Sequence, residues 1–68
     1  MAGLRLIGMQ LKRARYELGW TQRRLEQASG VDQTTISRLE NGRLAHFSLL
    51  RLGLLALALG GTWRFDVA

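Results

Sequence analysis

The residues best equipped to hold a partner are Gln33, Thr34, Ser37 and Arg38. At about 100° per residue they share one face of a helix, while Ile36 and Leu39 point the other way. A carboxamide that donates and accepts, hydroxyls, and a planar guanidinium fork make a hydrogen-bonding surface rather than a bond-breaking one. Ten Lys+Arg against five Asp+Glu give a net charge of +5, which directs that surface toward an anionic partner. Nucleic acid and acidic membrane surfaces both qualify. Catalytic chemistry has little to work with. His46 has no partner at metal-ligand or catalytic spacing, Ser29, Ser37 and Ser48 form no pattern with it, and the acids do not pair around a cleft. With one His and no Cys there is neither a structural zinc site nor a disulfide. No enzyme activity, cofactor, metal or small-molecule substrate is expected.

The elements that position these residues must fit in 68 residues, room for one small domain without a large catalytic cavity. Hydrophobic residues at 47% against 22% charged residues are the balance of a chain that folds. The N-terminal residues lack the long apolar stretch and cleavage site of a secretory signal, so a cytoplasmic location is expected. From Leu44 to Gly61 the chain is strongly apolar, but His46, Ser48 and Arg51 interrupt it. Its longest uncharged run, Leu52 to Gly61, is too short to span a bilayer and is expected to be a buried helix.

Capping residues and glycines divide the chain. Ile7, Leu11, Ala14 and Leu18 recur at i, i+4, i+7 and i+11, predicting a first helix between Leu4 and Leu18 that ends at Gly19. Thr21 is a good N-cap, and Trp20 and Leu25 can form a hydrophobic staple around it, for a second helix that runs to Ser29 before Gly30. The same grammar repeats with Asp32 as N-cap, Val31 and Ile36 as staple, and Gly42 after Asn41 as the stop of a third helix. Ser48 opens a fourth, which runs to about Leu59. Its leucines spread around the whole cylinder, so burial on more than one side is expected, with Leu54 and Leu57 at a dimer contact.

The period then changes. In residues 62–67, Trp63, Phe65 and Val67 alternate with polar neighbours, as in a half-buried strand, although a frayed tail would also suit a chain end. Such a strand needs a partner, and the same segment of a second chain, paired antiparallel, is the one expected. Centring the pair on Phe65 sets Arg64 opposite Asp66 and Trp63 opposite Val67. The expected fold is therefore an all-α bundle of about four helices over residues 1–61, followed by a dimerising strand over 62–68.

Two short helices joined by a tight turn need one residue of positive φ, which Gly30 supplies. With Gly19-Trp20-Thr21-Gln22, Leu25, Gly30-Val31 and Ile36-Ser37-Arg38-Leu39-Glu40-Asn41-Gly42, the sequence resembles the helix-turn-helix domains of the lambdoid phage repressor, Cro and XRE families. The motif fits without insertion, and the wider resemblance covers about residues 4 to 60. One departure is Glu26, where those families usually carry alanine at the crossing of the second and third helices. A wider crossing or an outward-turned side chain would accommodate it.

The resemblance implies that the third helix reads double-stranded DNA. Gln33 would contact adenine N6/N7, Arg38 guanine O6/N7 or a phosphate, and the methyl of Thr34 a thymine methyl, with Ser37 beside them. Gln22 would anchor a phosphate at the start of its helix and brace Gln33. Arg23, Arg24 and Arg43 are near enough for phosphate contacts. Arg15 and Glu40 match a structural salt bridge that ties the first helix to the end of the third. The implied function is a sequence-specific repressor that binds a palindromic operator as a homodimer. A helix-turn-helix followed by an apolar helix and a terminal strand also resembles HipB-type antitoxins, which autorepress their operons, so a toxin partner is the alternative. A cationic membrane-active peptide fits poorly, because Glu40, Asp32 and the caps specify a folded domain.

Overall fold

Thr21, Asp32 and Ser48 each have extended backbone and accept a hydrogen bond from an amide of the turn that follows: Thr21 from Arg24 N at 3.0 Å, Asp32 from Thr35 N at 3.0 Å and Ser48 from Arg51 N at 3.1 Å. Each cap satisfies a donor that the helix itself leaves unpaired. The computed structural model describes residues 2–44 and 47–60, and these caps start three of its helices. The elements are α1 (Ala2–Glu17), α2 (Gln22–Ser29), α3 (Gln33–Glu40) and α4 (Leu49–Ala58). The expected all-α architecture is thus present. The predicted strand lies outside the described residues.

The turn between α2 and α3 bends at Gly30, which sits at φ 80°, in the left-handed region, and donates its amide to Glu26 O at 2.8 Å. Ser29 stitches the same turn from inside, with its hydroxyl donating to Leu25 O at 2.7 Å and accepting from Val31 N at 3.1 Å. A hydroxyl serving both roles lets the backbone reverse without burying an unpaired group.

Ile7, Leu11 and Ala14 of α1, Leu25 of α2, Val31 in the turn, Ile36 and Leu39 of α3, and Leu52, Leu55 and Leu59 at the α4 end form one core. Helix α3 packs against α1 and α2, and α4 packs against α2. Trp20 and Phe47 lie partly buried at the edges of the core. Leu18 departs from the expected stripe. The helix ends at Glu17, the chain turns at Gly19 with φ 72°, and Leu18, carried off the helical face by that turn, is 37% exposed.

In α4 the leucines divide into two sets. Leu52 and Leu55 face inward, whereas Leu49, Leu50, Leu54 and Leu57 are 81%, 74%, 37% and 80% exposed. Within this chain the core therefore covers one side of the helix. Among the described residues, no helix is long and apolar enough to cross a membrane.

Candidate nucleic-acid interface

Helix α3 is anchored from behind by Ile36, Leu39 and Glu40, all buried. On its other side Gln33, Thr34 and Arg38 are exposed and Ser37 is half-buried. These four, with Gln22 of α2 and with Asn41 and Arg43 just past the end of α3, line a concavity of about 420 Å³. The structure thus brings together Gln22, Gln33, Thr34, Ser37, Arg38 and Arg43. Arg23 is exposed on α2 but does not line the concavity, and the Arg24 guanidinium lies over the Trp20 ring, 5.0 Å from its centroid. Asn41, which in the sequence marks only the end of the helix, belongs to the lining. It follows Ser37 by one helical turn, a period that could have placed it there, and its amide donates to Ser37 O at 2.9 Å.

Beneath this face lies a buried ion pair. Arg15 Nε donates to Glu40 Oε2 at 2.8 Å and Arg15 Nη2 to Glu40 Oε1 at 2.9 Å, a two-pronged contact with matched planar geometry. The third guanidinium nitrogen, Nη1, donates to Trp20 O at 2.7 Å, which ties the turn after α1 to the same point. Donating to the Glu40 carboxylate holds the Arg15 pKa above its ordinary value, outweighing the opposing effect of burial. Arg15 also stacks on Tyr16, 4.7 Å from the ring centroid.

Gln22 joins this pair rather than the start of α3: its Nε2 donates to Glu40 Oε1 at 3.0 Å. That differs from the expected brace to Gln33. The physical reason is the buried carboxylate, whose lone pairs cost free energy when unsatisfied and so attract every donor within reach.

At the N-terminus of α3 stand two acidic side chains. Asp32 accepts from the Thr35 hydroxyl at 2.7 Å as well as from its amide, and these bonds hold its carboxyl below the usual carboxylate range. Glu26 reaches over from α2, and its Oε2 accepts from Gln33 N at 3.1 Å. The carboxylate absent from the expected pattern is therefore turned to the helix end instead of into the crossing. Among the described residues no group of three or more His, Cys, Asp or Glu is placed to hold a metal ion.

Two short capped helices, a left-handed glycine between them and a polar outer face on the second define a helix-turn-helix fold. The family model described as Helix-turn-helix matches residues 11–65, and the chain belongs to that family of DNA-binding transcriptional regulators. No curated protein and no solved structure matches the chain.

Proposed function

We propose that the protein is a sequence-specific repressor that binds a palindromic operator as a homodimer. The observation that carries this proposal is the concavity along α3, where Gln33, Thr34, Ser37 and Arg38 gather with Gln22 and Arg43 on the side away from the core. In a major groove, Gln33 would pair with adenine and Arg38 with guanine or a phosphate, Thr34 would meet a thymine methyl, and Gln22, Arg23 and Arg43 would follow the backbone. The net charge of +5 supplies sequence-independent attraction to the duplex.

The outward leucines of α4 support the dimer. Leu50, Leu54 and Leu57 recur at i, i+4 and i+7 beside Leu49, and at Gly53 among them a Cβ would meet nothing within 4 Å. A second α4 could approach closely there, with residues 62–68 adding Trp63, Phe65 and Val67 across the axis. Selection of bound fragments from random duplex DNA tests the proposal directly. An inverted repeat with half-sites about 34–36 Å apart is expected, and a single unrepeated half-site would remove the dimer. Light scattering on Leu57→Glu and on a chain lacking residues 62–68 separates the helix contact from the strand contact.

An antitoxin is the second possibility, because the leucine face of α4 is also the described surface that a toxin protein would cover. Co-purification of a toxin that displaces the second copy would favour it over the simple repressor.

A further inference from the structure

The start of a recognition helix lies close to the duplex, and an uncapped helix N-terminus attracts phosphate through its dipole and its unpaired amides. Here two of those amides, of Gln33 and Thr35, are already engaged by carboxylates. Asp32 holds Thr35 N from the cap position, as Thr21 and Ser48 hold the corresponding amides of α2 and α4. Glu26 adds a second carboxylate from a different helix and engages Gln33 N, the amide of the residue whose side chain heads the polar face. Two negative charges thus face the end of α3 that approaches DNA.

We propose that Glu26 is a specificity-determining residue. It keeps phosphate away from the start of α3, so that this end of the helix gains from DNA only where base edges meet Gln33 and Thr34. The inference rests on the DNA-binding function proposed above. Like charges repel more strongly as they approach, and this penalty applies on any duplex where a phosphate settles against α3. In the matched register a base edge lies there instead, and the contacts of Gln33 are made. Glu26 therefore lowers affinity for unrelated DNA more than affinity for the operator. Its bond to Gln33 N also fixes the backbone from which the Gln33 side chain projects.

The test compares wild type with Glu26→Gln, which keeps an acceptor oxygen but removes the charge, and with Glu26→Ala, which removes both. Each protein is titrated with the selected operator duplex and with a random-sequence duplex of equal length, at several salt concentrations, after a thermal melt has established which variants fold. Both variants are expected to bind the random duplex about 3- to 10-fold more tightly, with a smaller change on the operator, so that discrimination falls. The gain should shrink as salt rises, because the repulsion that it relieves is screened. If the alanine variant does not fold, the glutamine variant alone decides. An unchanged ratio of operator to random affinity overturns the proposal. So does weaker operator binding with preference lost at one base pair, which would make Glu26 a base reader, for example of cytosine N4. A wild type that prefers no sequence overturns the proposed function itself, and the role of Glu26 falls with it.

Discussion

Gly8 of α1 and the carbonyl of Leu39 in α3 meet backbone to backbone: a Cβ on residue 8 would overlap the Leu39 oxygen and stand 2.8 Å from its carbon. Neither atom belongs to a flexible side chain, so room can be made only by moving one helix from the other. Gly8→Ala is therefore expected to lower stability by about 1–3 kcal/mol despite alanine's better helix propensity. Urea denaturation measures this. A more stable variant would show that α1 and α3 do not approach so closely.

Removing one partner of the Arg15–Glu40 pair leaves a buried charge without its counter-ion. Arg15→Met, with Glu40 retained, should cost about 3–5 kcal/mol, whereas the paired replacement Arg15→Met with Glu40→Leu should cost much less. Comparing the single and double variants by chemical denaturation checks the prediction. A double variant that loses as much as Arg15→Met alone would show that the unpaired Glu40 charge is not the source of the loss.

Gly30 lies at φ 80°, and a Cβ there would meet nothing within 4 Å. The difficulty for a larger residue is thus its own backbone conformation rather than its neighbours. Gly30→Ala should cost about 1–2 kcal/mol, Gly30→Asn less, and Gly30→Val enough to abolish the cooperative melt of so small a domain. Circular dichroism melts should rank the three in that order.

Asp32 titrates below the usual carboxylate range because the Thr35 hydroxyl and amide both donate to it. A carboxylate whose folded pKa is depressed stabilises the fold fully above its unfolded pKa, about 3.9. That contribution is lost as the pH falls through the lower folded value. Asp32→Asn keeps a capping oxygen that does not titrate. Its stability should therefore decline less than that of wild type as the pH is lowered below about 4. Identical acid limbs in the two proteins would remove Asp32 from the acid response.

For DNA binding, Gln33→Ala should cost about 1–3 kcal/mol on the best site and relax preference at one base pair. Gln22→Ala should weaken all sequences more evenly, and it should also lower stability because Gln22 donates to Glu40. Selection on random duplexes with each variant gives the comparison. An unchanged sequence preference in the Gln33 variant would move the base-reading face elsewhere.

Much of the fold is legible in residue types at short spacing. Thr21, Asp32 and Ser48 stand just ahead of apolar periodicity, and Gly19, Gly30 and Gly42 have positive φ at the ends of the first three helices. A cap and a turn are local events, and their chemistry sits within a few residues of sequence. What joins different helices is less visible. Periodicity assigns Gln22, Glu26 and Gly8 to helices, but not Gln22 to Glu40, Glu26 to the amide of Gln33, or Gly8 to the carbonyl of Leu39. These depend on how the helices cross, which varies by more than the length of a hydrogen bond among packings that one apolar pattern allows. Leu18 shows the same limit at a helix end: it keeps the apolar period, but the helix stops before reaching it.

Helix α3 is only eight residues long, with Ile36, Leu39 and Glu40 directed inward and Gln33, Thr34 and Arg38 outward. If the outward set reads DNA as proposed, stability and target choice fall to different positions of one short segment. Mutation can alter the outward set while the inward set continues to hold the domain together. On that reading, descendants of such a gene would acquire new operators through single substitutions at exposed positions, and a duplicated copy would separate from its parent's target while keeping its parent's core.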